Sequence, residues 1–187
     1  MGSEYGQANP SKQEDRPDTV VVSSNNSRTS QLDKFKFLYT NLDGLSNKVD
    51  LLSDIIGKKK PHIIMITETK MCSSDVTSDY FTSRNYNIFR KDRPSSRPLS
   101  RGGGLAILVH DGIFAMEIIE DIYYNTESIA IRIKYGTRIL ICVCMYRPPD
   151  SSEEYSNNII LTMNKVCELN FDQIIICGDF NFPEIIG

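Results

Sequence analysis

The sequence lacks several features that would decide its class at once. No stretch approaches the roughly 20 apolar residues of a membrane-spanning helix. The N-terminus, MGSEYGQANPSKQEDRPD, has no hydrophobic signal core. It opens Met-Gly, but Gly6 stands where a myristoylation site wants Ser or Thr. The chain is therefore expected to be intracellular and free of membrane. Positive charge is not in excess either: 21 Lys and Arg against 24 Asp and Glu leave a net charge of -3 and a pI near 5.4. That excludes a broadly basic nucleic-acid coat and confines any DNA contact to a local patch. The five cysteines, Cys72, Cys142, Cys144, Cys167 and Cys177, contain no CxxC pair and are odd in number. A disulfide framework and a zinc site both need spacings that are absent. Cys142 and Cys144 alternate in a strand-like run and are expected to share one face as small buried hydrophobes.

What is present suits one α/β domain. The 187 residues are 40% hydrophobic and 24% charged, ordinary values for a globular chain with a real core. Residues 1–33 are rich in Ser, Asn, Asp, Gln and Gly, with Val20 to Val22 as the one apolar island. Such a segment cannot bury enough surface to offset its ordering entropy, so it is expected to be a disordered arm. The domain is expected over 34–187.

Within that domain, strand and helix patterns alternate. Lys36 to Thr40 reads as a strand, and Ser46 to Lys58 as a helix with Val49, Leu52, Ile55 and Ile56 on one face. Pro61 blocks its continuation. His62 to Thr67 is a continuous apolar run ending at Glu68, the pattern of a strand covered on both faces. Tyr86–Phe89, Leu105–Val109, Glu127–Ile133 and Arg138–Met145 add four strands, the last two joined by the short link Lys134 to Thr137. Ser151 to Leu169 reads as a second helix, with Ser151 and Glu154 matching a capping box. Ile174 to Cys177 is a last buried strand. Alternation of this kind indicates a layered α/β domain, whose sites form from loops at strand ends.

Strongly apolar strands here end in polar residues able to do metal or phosphate chemistry: Thr40-Asn41-Leu42-Asp43-Gly44, Thr67-Glu68-Thr69 and Gly178-Asp179-Phe180-Asn181. A fourth ends Tyr146-Arg147-Pro148-Pro149. Asp and Asn at a strand end are also ordinary turn formers. If these strands are neighbours, however, their ends converge on one cluster of oxygen ligands beside a phenol and a guanidinium. Hard oxygen donors suit Mg2+, with Mn2+ an alternative.

Five segments together resemble the endonuclease/exonuclease/phosphatase superfamily, and within it the endonuclease domains of non-LTR (LINE-type) retrotransposons. They are Tyr39 to Lys48, Ile66-Thr67-Glu68-Thr69, Arg101 to Ile107, Tyr146-Arg147-Pro148-Pro149 and Gly178-Asp179-Phe180-Asn181. The resemblance implies a four-layer, DNase I-like α/β sandwich, incomplete at its C-terminus, and metal-dependent phosphodiester hydrolysis. By the same resemblance Glu68 is the principal metal ligand and Asp43 a more distant one. Asn41 binds the phosphate or a metal-bound water, and Asp179 aligns or deprotonates the attacking water. Asn181 holds the scissile phosphate, and Tyr146 supports it or the leaving group. The implied substrate is DNA, nicked to expose a 3′ hydroxyl in the nucleus, with a reverse transcriptase expected downstream and no small-molecule cofactor. The family completes its site with a later Asp and a Ser-Asp-His segment. No Ser-Asp-His occurs here, and the chain ends six residues after Asn181, so as it stands it is expected to be inactive or nearly so. His62 and His110 sit at the wrong strand ends to replace that histidine.

Other readings stay open. An apurinic-site nuclease, a phosphoinositide phosphatase or a sphingomyelinase would share these motifs, and a relic fragment without activity would share the sequence. Tyr146-Arg147-Pro148-Pro149 and the Asn47-Lys48 pair tilt the balance toward retroelements. Gly102-Gly103-Gly104 leads into a strand and not a helix, so it reads as a close-packing turn and not a phosphate cradle. The basic loop Arg90 to Arg101 could grip DNA phosphates through Arg93, Arg97 and Arg101, or be a solvated surface loop.

Overall fold

Strand β7 (Arg138–Tyr146) shows why the chain layers as it does. Leu140, Cys142, Cys144 and Tyr146 alternate with Ile141, Val143 and Met145, and all seven are buried. A strand apolar on both faces must be covered on both faces. The first set joins Ile63, Met65, Leu105 and Ile107 in the layer between two sheets, and the second packs under a helix with Ile159 and Val166. The computed structural model describes residues 35–74, 81–82, 84–93, 102–118, 123–169 and 171–182.

One sheet contains β1 (Phe37–Asn41), β2 (Ile63–Thr67), β3 (Tyr86–Lys91) and β4 (Leu105–His110), in the order β1-β2-β4-β3. The other contains β5 (Ala115–Glu117), β6 (Glu127–Tyr135), β7 and β8 (Gln173–Asp179), in sequence order. Helix α1 (Val49–Lys59) covers the outer face of the first sheet, where Leu52 and Ile56 meet Leu38, Ile64, Ile66 and Leu108. Helix α2 (Glu153–Glu168) covers the outer face of the second. The result is the four-layer α/β sandwich expected from sequence. Each fully buried aliphatic side chain in these layers contributes about 1.5–3 kcal/mol.

Two pairings position the site. Strands β1 and β2 are parallel, with Asn41 opposite Thr67, and β7 and β8 are parallel, with Tyr146 opposite Asp179. The C-terminal ends of all four therefore lie at one rim. The elements match their sequence-based expectations to within a few residues, with two differences. Strand β5 was not expected, because three residues carry too short an alternation. The cap of α2 is Ser152, whose side chain accepts from the Tyr155 N–H, instead of Ser151. Helix α1 ends on Lys60 in the left-handed region, at φ 47°, without a glycine. The arm expected over 1–33 lies outside the described residues.

Candidate active site

The backbone folds the four strand ends together before any side chain acts. After β1, the Gly44 N–H donates to the Glu68 carbonyl at 2.8 Å and the Leu45 N–H to the Thr69 carbonyl at 2.9 Å. On the other side of Glu68, the Thr69 and Lys70 N–H groups donate to the Gly104 and Gly103 carbonyls at 3.1 and 2.9 Å. The segment carrying Glu68 is thus clamped between two loops. It holds Glu68 at φ 53° and Lys70 at φ 52°. Left-handed backbone at a non-glycine residue costs on the order of 1–3 kcal/mol and persists only where the surroundings impose it.

The side chains then meet across the two sheets. Asn41 donates from Nδ2 to the Asp179 Oδ2 at 2.9 Å, and its Oδ1 accepts from the Asp43 N–H at 3.1 Å. Asn41 is fixed at both ends and joins β1 to β8. The Tyr146 hydroxyl and the Glu68 carboxylate stand together beside Gly102, where an added β-carbon would overlap both. A side chain on Gly104 would overlap the Thr69 hydroxyl. The glycine run therefore makes the close backbone approach that its sequence suggested. Burial pushes the Tyr146 phenol up, and the charge and hydrogen bond of Glu68 push it further, with Asp179 and Glu127 adding to the same direction. Tyr146 stays protonated at neutral pH and can donate a hydrogen bond.

Glu68, Gly102 and Tyr146 line a cleft of about 560 Å³ together with Asp43, Lys70, Pro148 to Ser152 and Tyr155. Among the described lining residues the charged groups are Asp43, Glu68, Asp150 and Lys70, with Asp43 and Lys70 paired to each other. Among the described residues no three His, Cys, Asp or Glu side chains form a metal cage. The donors are instead one carboxylate at the clamped Glu68, with the Asn41 and Asp43 oxygens nearby in the fold. This sparse set of hard oxygens fits a divalent cation that keeps most of its waters. Asp43 is ion-paired with Lys70.

Asn41, Asp43, Glu68, Tyr146, Asp179 and Asn181 are all brought to this one rim. The DNA-binding patch fares differently. Arg93 is only 7% exposed, and its N–H donates to the Met71 carbonyl at 3.2 Å. That bond draws the segment after β3 onto the segment after β2 and leaves Arg93 buried at their junction. Arg97 and Arg101 lie outside the described residues. His62 and His110 lie at the opposite rim, where His62 Nδ1 accepts from the Lys36 N–H at 2.9 Å.

Several neighbours were missed from sequence. Lys70 follows Glu68 by two residues, and that proximity was the available signal. Glu127 is 6% exposed and its carboxylate accepts from the Gly104 N–H. It carries no local motif and is found only through its register opposite Tyr146. Tyr155 reaches from α2, its hydroxyl accepting from the Glu127 N–H at 2.8 Å.

Comparison with known proteins agrees with this geometry. A search of curated protein sequences gives no match. The fold is shared with the endonuclease domain of TRAS1, a telomere-specific non-LTR retrotransposon, at TM-score 0.57 and 17% identity, covering 79% of this chain and 59% of that one. It is shared with a humanised D. rerio TDP2 at TM-score 0.57 and 16% identity, over 79% of this chain and 66% of that one. An AP endonuclease from Archaeoglobus fulgidus matches at TM-score 0.52 and 17% identity, over 78% and 56%. This chain thus spans less than two thirds of the length of these structures. Residues 37–184 match the sequence profile of the Endonuclease/Exonuclease/phosphatase family, and the chain belongs to that family.

Proposed function

We propose that this chain carries the metal-binding and water-aligning part of a DNA endonuclease site of the retrotransposon kind. The observation that carries the reading is the hydrogen bond from Asn41 to Asp179 across the two sheets, which places the ends of β1 and β8 at the rim that also bears Glu68 and Tyr146. Enzymes of this family hydrolyse phosphate esters and generally use divalent metals. The Glu68 carboxylate lining the cleft supports such a requirement here, since it would repel a phosphate unless a cation lay between them.

A divalent cation held by Glu68, with Asp43 and Asn41 further out, would supply charge neutralisation and a more acidic bound water. The chain's own groups do the rest. Asp179, held by Asn41, accepts a proton from the attacking water or fixes its direction. Tyr146, whose phenol is hydrogen-bonded to Glu68, stands where it can support the phosphate or the leaving group. Asn181 offers its second amide hydrogen to the scissile phosphate, the first being given to the Arg147 carbonyl at 2.9 Å. The nick would expose a 3′ hydroxyl for a reverse transcriptase to extend, which places the reaction in the nucleus. Tyr146-Arg147-Pro148-Pro149 and Asn47-Lys48 support the retroelement branch over other members of the family.

The test is nicking of supercoiled plasmid in Mg2+ by this chain and by a form lengthened at its C-terminus to carry a Ser-Asp-His segment. The lengthened form should nick, and Glu68→Ala and Asp179→Ala should each lower the rate at least ~100-fold while leaving the melting temperature within a few degrees. A folded lengthened form that leaves DNA intact but releases phosphate from lipid or inositol substrates would transfer the reading to another branch. Inactivity on every substrate would leave a protein that only binds.

A further inference from the structure

Arg147 follows Tyr146 directly, is only 4% exposed, and has no task in the chemistry above. Its Nε donates to the Ser156 Oγ at 3.0 Å, and its Nη2 to the Ser151 carbonyl at 3.4 Å. Nη1 donates to the Asn181 carbonyl at 2.5 Å and the Pro148 carbonyl at 3.4 Å. The guanidinium also lies 4.7 Å from the centre of the Phe182 ring. Its backbone repeats the pattern: the Arg147 N–H donates to the Asp179 carbonyl at 2.8 Å, and the Arg147 carbonyl accepts from Asn181. Among the described residues no carboxylate forms a salt bridge with it. A buried cation held only by neutral acceptors and a ring is expensive to keep.

Those partners fall into two segments. One is the turn Asp179 to Phe182, and the other is the Pro148 to Ser156 stretch that leads into the first turn of α2. Within the first, Asn181 sits at φ 43°, a conformation that Asn tolerates but does not need. It is held there through both its carbonyl and its side chain.

We propose that Arg147 is the positioning residue of the site, its guanidinium fork setting the Asp179-to-Asn181 turn and tying it to the start of α2. The assignment rests on the functional reading above, in which Asp179 and Asn181 act on water and phosphate. A lysine keeps the charge but has no rigid planar fork with which to reach four diverging acceptors. Arg147 touches no reacting atom; it fixes the angle at which two reacting side chains are presented.

The first measurement is amide hydrogen exchange on the 187-residue chain with Arg147→Lys. Exchange should rise about 10-fold or more across 178–182 and 150–156, with the centres of β6 and β7 unchanged, because a local clamp opens locally. Uniform acceleration across all strands would make Arg147 a general stabiliser and overturn the proposal, as would unchanged protection of the two segments. Ser156→Ala keeps the guanidinium and removes one acceptor. It should give the same pattern at about a third of the size, and it serves if the lysine variant does not fold.

In the nicking-competent form, Arg147→Lys should lower kcat about 100-fold with KM within about 2-fold, and adding Asn181→Ala should cost little more. Fully additive losses would overturn the coupling. Exchange requires no turnover, so absence of hydrolysis in every form would remove the functional reading, while the clamp would still be judged on exchange alone.

Discussion

At one rim of the sandwich, where β1, β2, β7 and β8 end, Glu68 and Tyr146 line a cleft and Asn41 is hydrogen-bonded to Asp179. At the opposite rim, where the same strands begin, it packs rings: Phe35 stands edge-on to Phe37, His62 and Tyr135, at centroid distances of 6.4, 5.6 and 5.8 Å. Left-handed residues occur at both rims, but for different reasons. Lys60 closes a helix and Asn85 turns the chain into β3, ordinary uses of that conformation. Glu68 and Lys70 terminate no helix; adjoining loops pin them from both sides. The comparison teaches that strain is placed where the oxygens must be aimed, and that it is tolerated because the far rim and the three apolar layers hold the strands rigid. Substitutions at the two rims should therefore separate chemistry from stability.

The most severe break falls where the two requirements meet. Gly178 lies in β8 one residue before Asp179, and a β-carbon there would overlap the backbone of Met145. Met145 cannot retreat, since it is paired with Ser128 on one side and Gly178 on the other. Gly178→Ala should lower stability by roughly 3–5 kcal/mol, the range of severe core disruptions, read as a shift in the urea midpoint. A variant that unfolds at the parent's midpoint would show that β8 does not lie in this register against β7.

How far all this could be read from sequence depended on whether the cause was local. The strands were legible because runs such as Ile63 to Thr67 are buried on both faces and so are uniformly apolar. The rim residues Asn41, Glu68, Tyr146 and Asp179 were legible because each terminates such a run. The burial of Arg93 was not legible, for the converse reason. Its neighbours in sequence are basic and polar, but its environment is fixed by a backbone bond to Met71, 22 residues earlier. Glu127 and Tyr155 were invisible because their roles arise only from register opposite Tyr146 and from the seating of α2. The tie between Arg147 and Asn181 spans 34 residues and leaves no periodic trace.

At the far rim a loss of intermediate size is expected. Phe35→Ala removes three edge-to-face contacts, each worth about 0.5–1.5 kcal/mol, together with the area the ring covers. Stability should fall by about 2–3 kcal/mol. Mn2+ binding at the cleft, followed by paramagnetic broadening, should keep its affinity within about 2-fold, because the Phe35 cluster lies at the rim opposite Glu68. A drop in metal affinity as large as that of Glu68→Ala would mean that the rims are mechanically coupled and the separation is false.

The smallest effect is in alkaline solution, and it distinguishes the rims by cause. Burial raises the phenols of Tyr146 and Tyr39 on the site side and of Tyr86 and Tyr135 at the far rim. A phenol whose pKa is higher in the folded state binds more protons there than in the unfolded chain, which ionises near 10. Stability should therefore hold level up to about pH 9.5 and fall as the pH rises beyond 10. Only Tyr146 among these four is raised by the charge of Glu68 as well, whereas at Tyr135 the next influence is Arg138, which opposes the rise. Glu68→Gln should thus make the decline above pH 10 shallower, and Tyr146→Phe should make that rescue vanish. Tyr135→Phe should reduce the decline equally whether residue 68 is Glu or Gln. If Glu68→Gln leaves the alkaline slope unchanged, the contact between Glu68 and Tyr146 does not hold in solution, and the site rim loses the one pair that fixes its phenol as a donor.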